Sequence, residues 1–455
     1  MTEDMLQYLL RRRSGSINPR EEAIAQSKKF AAAGLLATAA LFLGTVPAVA
    51  AEDVATYLAP QSDVTEPYPG MDLSVGVTEF RDQTIRQLAR ISIGGEGLKV
   101  KFSNEYGTAP ITLDAVSLAQ SLGAGSIDPA SSKAVTFGGR TSVTIAPGKT
   151  VTSDIVKIVA KPLGEYAVSI YMKQAPVRTA HRFSRTITYV AAGDVTASGA
   201  MPEGKKLSAN FFMPEIVAVR QAPARVIVAF GDSITDYSPI PNGHLSWPDQ
   251  LAELVNGRPD DVAVVNAGIG GNRWVTSNMG PCGLCRIERD ILAIEGATDV
   301  VMVLGINDIG LGYRYTNGFK DASQNVSSKQ IIASMQAAID KAKAKGLKVY
   351  VATLVPFKSG VADYYTTGQP DQIPFGATEP HNGEKIRAEV NAYIRQNKTI
   401  DGVIDLDRAL ADPADPLLQL KELTLDGLHP NAAGLGVISR LAYQAIFSGG
   451  STSGR

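Results

Sequence analysis

Four short blocks carry residue types that could act together on an ester. Gly231-Asp232-Ser233 follows the apolar run Val226-Ile227-Val228, and "NAGIGGN" from Asn266 to Asn272 follows "VAVV". Gly305-Ile306-Asn307-Asp308 follows "VVMVL", and Asp426-Gly427-Leu428-His429-Pro430 comes near the C-terminus. A serine hydroxyl is a poor nucleophile until a base accepts its proton, and histidine is the side chain poised for that near neutral pH. Asp426 is close enough in sequence to accept the Nδ1 proton of His429, leaving Nε2 to face Ser233. The oxyanion of acyl transfer needs preorganised donors, and the backbone amides of Ser233 and Gly271 with the side-chain amide of Asn307 supply three.

Each block also has a plainer reading. Ser233 is a good N-cap for a following helix. Gly268, Gly270 and Gly271 are turn residues, Asn307 can satisfy its own loop, and Asp426 to Pro430 can be a helix-entry turn. The joint reading rests on the set, and the histidines narrow it. Of four, His181 lies in strand-like sequence, His244 in the loop after Ser233 and His381 at a helix start, and His429 alone has a carboxylate one helical turn before it. Other motifs fail on single residues. Thr235 replaces the second glycine of G-x-S-x-G, and Arg273 the last of G-x-G-x-x-G. "APGKT" lacks the first glycine of a phosphate loop, because position 143 is Val143. Asp401, Asp405, Asp407, Asp412 and Asp415 lack a calcium-loop rhythm and read as a strand end and solvated loop.

These blocks need elements to hold them. From about residue 78 to 217, segments such as "LKVKFSN", "YAVSIYM" and "RTITYVAAGD" alternate apolar and polar residues between Gly, Pro and Asn turns, which predicts an antiparallel sandwich or jelly roll. After Pro223, short β-branched runs alternate with helical stretches such as "SKQIIASMQAAIDKAKAKG", which predicts a parallel sheet covered on both faces. Such sheets bind ligands beyond the carboxyl ends of their strands, where the four blocks fall. The predicted organisation is a leader over residues 1–51, a β-rich domain over 52–222, a hydrolase domain over 223–447 and a flexible tail over 448–455.

At "GDSITD", "NAGIGGN", "GIND" and "DGLHP" the chain resembles the SGNH, or GDSL, esterase and lipase family, over about residues 225–447. The resemblance implies Ser233 as nucleophile, Gly271 and Asn307 as oxyanion donors, and Asp426 with His429 as the base pair. It also implies a flavodoxin-like three-layer α/β/α domain with about five parallel strands, no cofactor and no metal. "RQLARISIGG", "FSNEYGTAPI" and "DGVIDLD" resemble a branch in which a β-rich domain comes first, including arylesterases and acylhydrolases of polysaccharide-degrading bacteria. "GPCGLCRIERDIL" departs from that branch, which is expected to lack cysteines there.

The 44 basic and 45 acidic residues give no global field for nucleic acid or an anionic membrane surface, so a small uncharged or carbohydrate ester is the expected partner. Lys28-Lys29, an apolar run of about 17 residues from Phe30 to Val46, and Ala48-Val49-Ala50 read as an export signal, with an uncleaved anchor as the alternative. The expected location is periplasmic or secreted, with no stable membrane insertion after cleavage. In that compartment the only cysteines, Cys282 and Cys285, are expected to form a loop disulfide, with free thiols and a redox pair left open. The expected function is an exported serine esterase for short acyl groups on carbohydrates or aryl alcohols. A lysophospholipase or thioesterase of the same chemistry, or a glycan-binding protein with a vestigial hydrolase domain, are the alternatives.

Overall fold

The computed structural model describes residues 51–66, 74–315, 326–358 and 382–448, with the side chains of 311–315 left aside. All but Ala51 of the leader and all but Ser448 of the tail expected above lie outside the described residues. From Ala51 onward the described residues belong to one compact unit.

The first region supplies β1 (Glu52–Leu58), β2 (Glu79–Arg90), β3 (Gly97–Ser103), β4 (Ala115–Gly123), β5 (Glu165–Pro176), β6 (Thr179–Arg182), β7 (Thr188–Ala192) and β8 (Glu215–Arg220). One sheet runs β1-β8-β3 and a larger one β7-β2-β5-β4, all antiparallel. The side-chain period of two sorts residues between the faces. Tyr166, Val168 and Ile170 of β5 meet Leu98, Val100 and Phe102 of β3 in the core between the sheets. Ala167, pointing the other way, joins Leu88, Ala119 and Tyr189 in a separate small cluster. The expected β-rich region is therefore present as two facing antiparallel sheets.

The second region supplies β9 (Arg225–Gly231), β10 (Val262–Gly268), β11 (Ala297–Val303), β12 (Lys348–Ala352) and β13 (Gly402–Ile404). They form one parallel sheet in the order β10-β9-β11-β12-β13. Its helices are α1 (Ser233–Asp236), α2 (Trp247–Val255), α3 (Ile306–Tyr315), α4 (Ser328–Ala344), α5 (Gly383–Gln396) and α6 (Ala432–Phe447). Both faces of the central strands are covered, which is why Val226 to Phe230 read as an unbroken apolar run and are all buried. The chain leaves β9 for β10 on one side and returns for β11 on the other. Right-handed crossovers then place α2 on one face of the sheet and α4 on the opposite one. The reversal beside β9 is the switch point where such sheets bind ligands.

The two regions share core. Val54, Ala55 and Leu58 of β1 and Ile93 belong to the apolar cluster of the parallel sheet. The Ala55 amide donates to Glu295 O at 3.0 Å, and the Val264 amide to Ser92 Oγ at 3.1 Å.

Candidate active site

β9 ends at Gly231, where a Cβ would lie 2.2 Å from Thr235 Oγ1 and 2.5 Å from Val303 O, so only glycine lets the next turn fold this tightly. The N-cap of α1 is Asp232, whose carboxylate accepts the Ile234 amide at 3.0 Å. Burial pushes the Asp232 carboxyl up to about 7. Because Asp232 takes the capping role, the Ser233 hydroxyl is not spent on the helix. It lies 3.1 Å from His429 Nε2. Thr235 is pinned from two sides: its carbonyl accepts Asn266 Nδ2 at 2.8 Å and its hydroxyl accepts Trp247 Nε1 at 3.2 Å.

The block near the C-terminus is a loop, and the helix after it starts later than a proline-led entry would have it: Asn431 is the N-cap of α6, beyond Pro430. Asp426 organises that loop. Its Oδ1 accepts the amides of Leu428 at 2.9 Å and His429 at 2.7 Å, and its Oδ2 accepts the His429 ring at 2.7 Å from Nδ1. A ring that donates from Nδ1 presents Nε2 as the acceptor for the serine proton. Burial acts to raise the Asp426 carboxyl, but the hydrogen bonds from the His429 ring and amide outweigh it and hold the group at about 2. A depressed folded pKa means that the stability from this ionised group is present above the unfolded range near ~4 and fades as pH falls toward about 2. The His429 carbonyl accepts the Leu425 amide at 2.9 Å and Thr424 Oγ1 at 3.0 Å, which fixes the backbone that carries the ring.

Gly271 sits at φ 73°, and a Cβ there would lie 2.6 Å from Met279 Cε. Asn307 stands in the first turn of α3, and its Nδ2 donates to Asn272 O at 3.2 Å, which orients the amide plane. Asp308 accepts the amides of Trp274 at 2.7 Å and Val275 at 3.0 Å, tying the start of α3 to the loop after Gly271. Burial raises its carboxyl to about 6. The fold thus brings His429 and Asp426 to Ser233 after the end of β9, while the Asn307–Asn272 contact joins the loops that follow β10 and β11. Such an arrangement can move a proton from a hydroxyl to an imidazole and offer N–H donors nearby. Among the described residues no group of three or more His, Cys, Asp or Glu is placed to hold a metal.

Residues 229–436 match the family described as GDSL-like Lipase/Acylhydrolase. This part of the chain is a GDSL-like lipase/acylhydrolase domain. Its reaction class is hydrolysis of carboxylic esters. Similar solved structures include a lipase/acylhydrolase from Enterococcus faecalis, 23% identical, covering 49% of this chain and 95% of its own, at TM-score 0.34. Others are the psychrotrophic esterase EstA from Pseudoalteromonas sp., 16% identical over 49% and 97% of the two chains at 0.33, and the acetyl xylan esterase AlAXEase, 20% identical over 49% and 100% at 0.34. No curated protein matches the chain.

In the GDSL-like domain, several buried groups that the sequence reading did not single out hold the site. Arg286, wholly buried, donates to Gly231 O and Ala267 O, each at 2.8 Å, to Asn272 Oδ1 at 3.0 Å and to Asp290 Oδ2 at 3.0 Å. It ties together the ends of β9 and β10. Cys282 and Cys285, the latter one residue before it, are joined as a disulfide, the bonded arrangement that a structural staple and an oxidised redox pair share. The ring closed by that bond is so short that replacing both cysteines by serine is expected to lower stability by less than the ~3 kcal/mol of a loop of about 15 residues. Turnover is expected to persist, because Arg286 keeps its own four partners. Denaturant midpoints and kcat of the double variant test this, and loss of most turnover in a folded protein would overturn it.

Asp236, three residues after Ser233, is the other missed group. Its Oδ1 lies 3.0 Å from His181 Nε2 and 2.5 Å from Arg185 Nη1, and its Oδ2 accepts the Gly270 amide at 3.2 Å. Both partners come from the β-rich region. His181 Nδ1 lies 2.8 Å from Pro60 O, and Arg185 Nη2 donates to Leu58 O at 2.9 Å. No spacing signal connects these residues, since 55 positions separate His181 from Asp236. His244 pairs with Glu165 at 2.9 Å instead, and His381 lies outside the described residues. The late aspartates form ion pairs, Asp401 with Lys343, Asp405 and Asp407 with Arg395, and Asp415 with Lys358.

Proposed function

We propose that the chain is an exported serine esterase that removes short acyl groups from carbohydrate or aryl alcohols, with residues 52–222 as its β-rich domain and 223–447 as its hydrolase domain. The observation that carries the reading is the chain of contacts from Ser233 Oγ through the His429 ring to Asp426, at 3.1 and 2.7 Å, inside a GDSL-like domain. Ser233 Oγ attacks the ester carbonyl while its proton passes to His429 Nε2. Asp426 holds the ring and stabilises the imidazolium. The carbonyl oxygen takes up charge against the Ser233 and Gly271 amides and the Asn307 side chain. When the tetrahedral adduct collapses, the proton on Nε2 goes to the leaving alcohol oxygen, and the acyl group stays on Ser233. Water then attacks the acyl-enzyme while His429 Nε2 takes its proton, and as this second adduct collapses Nε2 returns the proton to Ser233 Oγ, releasing the acid and the free serine.

Export rests on the leader sequence. Among the described residues no helix is long and apolar enough to cross a membrane. The test is a rate profile of the full chain on 4-nitrophenyl esters of increasing acyl length together with acetylated xylosides. Acetyl esters are expected to turn over fastest, and a steep preference for long acyl chains would overturn the substrate assignment. Asn307→Ala, which removes one oxyanion donor, is expected to lower kcat by about 10²–10³-fold with little change in KM. A change confined to KM would remove Asn307 from that role.

A further inference from the structure

We infer that Phe183, supplied by the β-rich region, contacts the substrate of this site, its ring forming one wall of a subsite for a flat apolar group carried by the ester. The inference rests on the esterase reading above and goes beyond it by assigning a specificity residue from outside the hydrolase domain. Four residues of β6, Thr179 to Arg182, are all buried, yet the next residue, Phe183, is 50% exposed. Its φ of 54° is in the left-handed region, which a bulky side chain enters only when the surroundings impose it. The surroundings are plain: His181 on one side and Arg185 on the other both end on Asp236, so Phe183 is strung between two buried anchors. Strain of this kind gathers where a side chain must be presented rather than packed.

The place of presentation is the oxyanion loop. A Cβ on Gly270 would lie 3.3 Å from Phe183 Cδ2, so the ring rests against the residue before Gly271. Among the described residues whose exposure is defined, the aromatic side chains are buried or half-buried with two exceptions, Phe183 and Tyr237. Tyr237, 36% exposed, stands with its ring centroid 6.2 Å from that of His429. One exposed ring thus rests against the oxyanion loop and the other stands beside the base. Exposed aromatic faces bind flat apolar surfaces, whether an aryl ring or the C–H face of a pyranose.

The experiment compares wild type, Phe183→Gly and Phe183→Trp. Glycine removes the ring while accepting the left-handed backbone, which separates loss of contact from release of strain. One arm fixes the acetyl group and changes the alcohol from methyl to phenyl, 2-naphthyl and an acetylated xyloside. A second arm fixes 4-nitrophenol and changes the acyl group from acetyl to benzoyl. Phe183→Gly is expected to lower kcat/KM for the flat members of one arm by about 10-fold relative to its smallest member, with Phe183→Trp restoring it. The affected arm tells whether alcohol or acyl group meets the ring, and the phenyl and xyloside substrates separate an aryl ring from a sugar. Discrimination unchanged in both arms, with folded variants and an active wild type, would overturn the inference alone. A wild type inert toward all these esters, or Ser233→Ala as active as wild type, would overturn the esterase reading and this inference together.

Discussion

Ser233→Ala and His429→Ala are each expected to remove about 10⁴-fold or more of kcat, and the double variant to be little worse than either, because such groups act as a unit. The 3.1 Å contact between Ser233 Oγ and His429 Nε2 is the structural basis, since neither group can do its part of the proton transfer without the other. Asp426→Ala is expected to cost less, as an imidazole without its carboxylate is still a base, although the loop loses the acceptor of two backbone amides as well. A fluorophosphonate probe should label Ser233 in the wild type and fail on Ser233→Ala. Thr235 is the internal control: it is fully buried and its hydroxyl is engaged by Trp247, so it should stay unlabelled. Labelling at another residue, or near-normal turnover by a folded Ser233→Ala, would reduce "GDSITD" to a turn and end the nucleophile assignment.

Asp236→Ala is expected to lower stability by about 3–5 kcal/mol, the usual consequence of removing one partner from a buried ion pair. Arg185 and His181 have side chains 9% and 1% exposed, so without Asp236 their polar atoms lose a counterpart in a place water scarcely reaches. The same change frees the Gly270 amide, so kcat on a small acetate should also fall in whatever fraction remains folded. Denaturant unfolding with kcat measured well below the transition separates the two effects. Replacing Arg185 by Met in the Asp236→Ala background should recover part of the lost stability, because the stranded charge is then gone. A loss below about 1 kcal/mol for Asp236→Ala would show that the cluster is hydrated and does not clamp the regions together.

Much of the fold was legible because it is repeated locally. The short, β-branched apolar run at Val226 to Phe230 fits a strand covered on both faces, while the alternation in Glu165–Pro176 marks a sheet with differing faces. The fold class drawn from those patterns holds in the structure, and the resemblance carried by the four motifs agrees with the family match over residues 229–436. Other features were not legible for definite reasons. Asp232 and Ser233 are both good caps, and only the backbone geometry shows that Asp232 is the cap, leaving the serine hydroxyl for His429. A cysteine pair has the same letters whether reduced or bonded. His181 looked like one more strand residue, because nothing near it in sequence is its partner.

By itself, then, the sequence determined the order and type of the elements and singled out residue types suited to ester hydrolysis, since hydrophobic period and motif spacing are properties of neighbouring residues. Tertiary structure alone decided what holds those residues still. A buried ion must be met by an opposite charge or a hydrogen-bond partner, and a folded chain can bring that partner from anywhere, as it brings Arg185 and His181 of the β-rich region to Asp236 of the nucleophile turn.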